Sequence, residues 1–328
     1  MEMKNFISES IKLSIFMFFL LFLSGRFGLL LHEFAGHTLS WQLLGGKITD
    51  FYLFLFGGGW VHYGWTPKTD NLSDLSFVFV HLSGIAIELV VGVILAFPAV
   101  FFRTTRIVKA WLSVASSILL VHGLYYLVIC FYYGSGDGRI IFDTIHGNVR
   151  HAFLIFTSFL TIGVAFFVSF TFSPEVKSWV PDRHSKNGFF LIIISTTIAI
   201  LFHGMLTVSE QILVKDSAYN EIKTSVNDRL KGNELSEFLD KYAKEHGKEA
   251  DQELVKVIAD ELEKKYRQFP IRALLGFLIL VALGAGFIVS GNRKYCESSK
   301  ITCKDNWILG SVSALMGAII VALNSLWG

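Results

Sequence analysis

Long apolar runs separated by short polar breaks set the plan of the chain. Residues 1 to 10 are polar, and a mainly apolar stretch begins at Ile11 and continues through Leu31 toward Leu44. The Gly45-Gly46 pair predicts its end. No small-residue cleavage site interrupts this run, so it reads as a retained span and not a signal peptide. Further apolar stretches cover about 75 to 102, 108 to 133, 151 to 172, 188 to 207, 271 to 290 and 306 to 327. Each is long enough to cross a hydrocarbon core of roughly 30 Å, which predicts an all-α polytopic membrane protein with about seven transmembrane helices.

Two segments depart from this pattern. Ile48 to Phe56 is rich in β-formers, Gly57-Gly58-Gly59 signals a turn, and Trp60 to Trp65 is aromatic again. These features predict a small β-hairpin or re-entrant segment after the first span. Non-helical backbone survives at membrane depth only where protein buries it or water lines it, so this segment is expected over a polar pocket. The second departure, 208 to 270, is dense in Lys, Glu and Asp and has Leu235, Phe238, Leu239 and Tyr242 at helical spacing, as in an extramembrane helical insert. The expected organisation is a three-span core over 1 to 150, two further spans over 151 to 207, the insert over 208 to 270, and a two-span hairpin over 271 to 328.

Composition agrees. The chain has 328 residues, of which 52% are hydrophobic, 15% aromatic and only 17% charged, which excludes an ordinary soluble domain. Net charge is +2 and the basic residues are scattered, so nucleic acid is not an expected partner, whereas the lipid bilayer is. Cys130 lies in an apolar run, while Cys296 and Cys303 share a polar loop and can pair if it faces an oxidising compartment. Basic residues such as Lys4, Lys12, Arg103, Arg106 and Lys177 are concentrated on the amino-terminal side of the spans, and this bias predicts a cytoplasmic amino terminus.

Against that background, the polar groups of Leu31-His32-Glu33-Phe34-Ala35-Gly36-His37 stand out, because ionisable side chains in a span are costly. Two histidines with a glutamate directly after the first is an arrangement of zinc hydrolases, in which the histidines ligate and the glutamate is the general base. In HExxH the histidines are four residues apart and diverge by about 40° around a helix; five apart, they diverge by about 140°. A single wide turn with i to i+5 bonding absorbs the extra residue, and Gly36 removes a side chain that would crowd it. The bland reading is that His32, Glu33 and His37 are helix-end polar groups meeting water. HExxGH resembles the motif of dipeptidyl peptidase III, in which this longer interval still binds zinc. His81 and Glu88 in the second span, His122 in the third and His203 in the fifth are further intramembrane ionisable groups.

A second motif, Gly136-Asp137-Gly138-Arg139, follows the third span. The first span carries His37 to one membrane face, the second returns, and the third brings Asp137 back to that same face, where it can complete a His32, His37, Asp137 ligand set. Together the two motifs resemble the site-2 protease family of intramembrane zinc metalloproteases, over about residues 12 to 150. Ser83-Gly84-Ile85-Ala86-Ile87-Glu88 is similar to that family's Gly-Pro-x-x-Asn, with Ile85 and Glu88 in place of proline and asparagine. The resemblance implies Zn2+ as cofactor, Glu33 as general base, a membrane-protein or peptide substrate, and Gly84 and Glu88 beside that substrate. Glu88 then changes the substrate contact, acts as a further ligand, or is protonated and donates a hydrogen bond. The family usually keeps its metal end toward the cytosol, opposite to the orientation that the charge bias predicts. An inactive protease-like scaffold and a metal or ion transporter are the alternative functions.

Overall fold

The computed structural model describes residues 3–70, 72–133, 136–138, 141–142, 145, 147–180, 186–213, 232, 235–247, 249–268, 271–290 and 301–327. Seven helical segments among these are long and apolar enough to cross a membrane. The first combines α1 (Met3–Leu30), a π-helix (Leu31–Thr38) and α2 (Leu39–Leu43). The others are α3 (Asp74–Phe101), α4 (Arg106–Tyr133), α5 (Gly147–Ser178), α6 (Lys186–Leu213), α9 (Ile271–Val289) and α10 (Cys303–Trp327). Between α6 and α9 lie α7 (235–246) and α8 (Gln252–Gln268), which agrees with a helical insert. The proposed Cys296–Cys303 pairing lies outside the described residues. Large apolar side chains such as Phe97, Phe159, Leu201, Leu280 and Leu315 are exposed along the outer faces of the spans. In water so much exposed hydrocarbon would drive association, whereas lipid requires it.

α1 is the centre of the bundle, with α4, α6 and α10 packed along it. Phe16 and Leu20 are completely buried and share a cluster with Trp179, just past the end of α5, Leu191 of α6 and Leu309 of α10. A separate cluster of Val128, Ile129, Ala165, Leu275 and Ile279 joins α4, α5 and α9.

The β-rich segment forms one antiparallel hairpin of β1 (Lys47–Leu53) and β2 (Gly59–Gly64), pairing from Lys47 opposite Gly64 to Leu53 opposite Gly59 with a register shift between Ile48 and Asp50. Alternation along β1 turns Phe51 and Leu53 inward onto Ile320 of α10, while Tyr52 stacks on Trp60 at 5.0 Å. The open end is tied to α2 by the Trp41 indole, which donates to Lys47 O at 2.9 Å.

The closed end is held by charges from two spans. Arg26 of α1 donates to Phe54 O at 2.6 Å, and the Glu210 carboxylate of α6 accepts from Leu55 N, Phe56 N and Gly57 N at 2.6, 2.6 and 3.1 Å. Thr207 adds a bond to Phe56 O, and the Asn324 side chain both accepts from Leu53 N and donates to Leu53 O. This is how irregular backbone is satisfied without water. Charge-assisted bonds of this kind contribute about 1.5–3 kcal/mol each. Glu210→Ala is therefore expected to lower the melting temperature and open the 54–58 turn to proteolytic nicking, with Glu210→Gln intermediate. Equal melting and nicking of the alanine variant and wild type would remove this clamp from the account.

Candidate metal centre

The π-helix covers the whole of Leu31–Thr38, and the amide of Leu39 bonds back to Phe34 O, five residues earlier. Wider turns rotate less per residue, so residues five apart return to nearly the same face. His32 and His37 consequently turn their rings together, with centroids 4.7 Å apart. The sequence spacing thus has the structural solution expected of it. Gly36 has a more specific role than relieving crowding: a Cβ there would stand 2.4 Å from Gly84 Cα, so the π-helix and α3 touch backbone to backbone. Ser40 supports the widened ladder from the next turn, donating to Gly36 O at 2.7 Å.

Asp137 arrives from the other motif. Gly136 takes a left-handed φ of 49°, and Gly138 sits so close to the end of α4 that a Cβ would meet Phe131 N at 2.3 Å. The short 3-10 turn Gly136–Gly138 therefore folds back on α4 and delivers the carboxylate to the histidines. Asp137 Oδ2 lies 2.9 Å from His32 Nε2 and Oδ1 lies 3.1 Å from His37 Nε2, while the two Nε2 atoms are 3.1 Å apart. His32, Glu33, His37 and Asp137 are all buried.

The outer atoms of both rings are already engaged. His37 Nδ1 faces Val80 O at 2.9 Å, and His32 Nδ1 faces Glu88 Oε1 at 3.2 Å. A carbonyl only accepts, so His37 carries its proton on Nδ1; an ionised Glu88 requires the same of His32. Neutral rings then present both Nε2 lone pairs to each other and to the carboxylate. Three electron-rich atoms meeting in a buried space are mutually repulsive, and a cation among them turns repulsion into ligation. Ligands about 2.0–2.1 Å from one tetrahedral ion stand roughly 3.3–3.4 Å apart, close to the separations found here. Among the described residues, His32, His37 and Asp137 form a group that can hold a metal ion.

The other expected site residues take different places. Glu33 lines a cavity next to His32, and a Cβ on Gly59 of β2 would come within 3.4 Å of its Cγ, so the hairpin borders the expected base directly. Gly84, expected beside the substrate, is packed between Gly36 and the His32 ring, where a Cβ would stand 2.7 Å from Nε2. Glu88, also expected at the substrate, sets Oε1 behind the His32 ring, where an outer carboxylate can fix the imidazole tautomer, and also lines the cavity. His81 reaches Asp137 Oδ1 at 3.8 Å and His122 reaches Glu88 Oε2 at 3.7 Å, whereas His203 lines the cavity beside Phe56, with ring centroids 5.8 Å apart.

Sequence reading missed Val80, which acts through its carbonyl, and also Arg26 and Glu210, which meet only through the hairpin. It also missed Tyr63 of β2, whose ring is 6.1 Å from that of His81. Burial, followed by the nearby charges of Asp137 and Glu33, raises the Tyr63 hydroxyl and keeps it protonated as a donor.

Removing an outer carboxylate of this kind costs about 10–100-fold in metal affinity. Glu88→Ala is expected to lose that much in a competition titration against a chelator, and Glu88→Gln, which retains an acceptor, less. Wild-type affinity in Glu88→Ala would show that Glu88 does not orient His32.

In comparisons with protein-family models, curated proteins and solved structures, none matches this chain.

Proposed function

We propose that this protein is an intramembrane or membrane-associated zinc metalloprotease, similar in its motifs to the site-2 proteases, that hydrolyses peptide bonds of membrane-protein substrates. The observation that carries this reading is the meeting of His32 Nε2, His37 Nε2 and Asp137 beside a cavity lined by Glu33. Two neutral imidazoles and one carboxylate form a three-ligand set typical of catalytic rather than structural zinc. When bound, zinc supplies a Lewis acid for the scissile carbonyl and lowers the pKa of water toward 7.

The chain's own groups supply the rest. Glu33 takes a proton from the attacking water and returns it to the leaving amine. Glu88 and Val80 O keep the ligand rings in the productive tautomer. Tyr63 and His81, whose rings are 6.1 Å apart beside Asp137, are the candidate O–H and N–H donors for charge that develops on the carbonyl oxygen. Asn324 occupies the Leu53 backbone of β1, so β2, next to Glu33, is the strand left to receive an extended substrate by strand addition. The charge bias orients the amino terminus to the cytoplasm, and the site then opens toward the opposite face.

The test is cleavage of a single-span peptide by the protein reconstituted in liposomes. Cleavage that stops on chelation and returns with zinc supports the reading; cleavage indifferent to both overturns it.

A further inference from the structure

The cavity beside Glu33 has a volume of about 490 Å³, within the range of about 300–1,000 Å³ common for ligand sites. It follows α1 backward from Glu33 past Gly25 to Leu21. At 1.5 Å per residue this is roughly 12–18 Å along the helix, into the span and away from the membrane face where the metal group lies.

Its lining combines two chemistries. Leu21, Leu119 of α4 and Ile200 of α6 form apolar walls. Arg26 Nε, on a buried side chain that lines the cavity, has no hydrogen-bond partner among the described residues, and Glu88 Oε2, also on the lining, has only His122 Nδ1 at 3.7 Å, beyond hydrogen-bond distance. A lipid chain or an intact helix offers only hydrocarbon and would leave Arg26 Nε without a partner and Glu88 Oε2 short of one. An unwound peptide offers bare N–H and C=O groups, which must find partners at membrane depth, and apolar side chains between them. At about 3.3 Å per residue, a 12 Å length holds roughly four extended residues.

We propose that this cavity is the subsite for an unwound, apolar stretch of the substrate on the membrane-interior side of the cut, with Gly25 providing the room for its side chains. The inference rests on the proteolytic reading above. A Cβ added at Gly25 meets nothing within 4 Å, so a side chain there grows into the cavity and not into packed protein.

The experiment uses full-length wild type, Gly25→Ala and Gly25→Leu in liposomes. Two single-span peptides differ only in carrying Leu or Ala at the residues just inside the membrane from the cut. Size differences in an apolar pocket change rates by about 10–200-fold, so Gly25→Leu is expected to lower the ratio of Leu-peptide to Ala-peptide cleavage at least about tenfold, and Gly25→Ala to lower it less. In parallel, a peptide with a photoreactive benzophenone side chain at that position is cross-linked to Glu33→Gln protein. Adducts should map to Leu119 and Ile200 and disappear when Gly25→Leu is added.

An unchanged ratio with adducts elsewhere, or on lipid alone, overturns the subsite even if wild type cleaves both peptides. Adducts at Leu119 and Ile200 that Gly25→Leu removes, with no cleavage by wild type, support the subsite and overturn the proteolytic reading. Neither cleavage nor adducts overturns both.

Discussion

Glu33→Gln is expected to reduce cleavage of a reconstituted membrane substrate by a factor of about 10²–10⁴, the usual contribution of a positioned general base, while the purified variant keeps its zinc. Glutamine has nearly the shape of glutamate and can still accept a hydrogen bond, but it cannot take a proton near neutral pH. Glu33 is not one of the three converging ligands, and its carboxylate borders the cavity beside Gly59. Base and ligands therefore separate cleanly in one variant. An inactive scaffold would be unaffected by the change. Loss of zinc together with activity would instead place Glu33 among the ligands, and full activity with zinc retained would remove it from the chemistry.

His37→Ala carries the second large expectation, loss of both metal and cleavage, the latter by at least the factor expected for Glu33→Gln. His37 is needed only because the π-helix turns it toward His32; on a regular helix its ring would point elsewhere. Alanine leaves His32 and Asp137 as two ligands for an ion that needs three from the protein in a catalytic zinc site. Retained zinc and activity in His37→Ala would break the link between the widened helix and the metal. Loss of zinc without any loss of cleavage would separate the site from the reaction.

Much of this arrangement was legible in the sequence because lipid leaves few solutions. The apolar runs place the seven spans within a few residues, although α5 begins at Gly147 and extends to Ser178, and α6 extends to Leu213, beyond their most apolar parts. Helices do not end where hydropathy ends, since backbone bonding continues into polar residues. The five-residue interval between His32 and His37 admits one wide turn, and the alternation of faces brings Asp137 to it.

What sequence could not supply were contacts that depend on how helices are rotated against one another. Gly84 and Glu88 share a span and a face, yet packing on Gly36 and His32 sets one against backbone and the other behind the His32 ring. The partner of His37 is the carbonyl of Val80, a group every residue has. Arg26 and Glu210 are far apart in sequence and meet only because the hairpin turn lies between them.

The central claim is that His32, His37 and Asp137 hold one metal ion, and the most direct test is elemental analysis of purified wild type beside Asp137→Ala. Asp137 comes from a separate turn, and its replacement leaves the π-helix sequence intact. The account predicts about one zinc per chain in wild type and below about 0.1 in Asp137→Ala, since two histidines alone do not retain the ion through purification. Equal zinc in both proteins, or none in wild type prepared with zinc present, would contradict it.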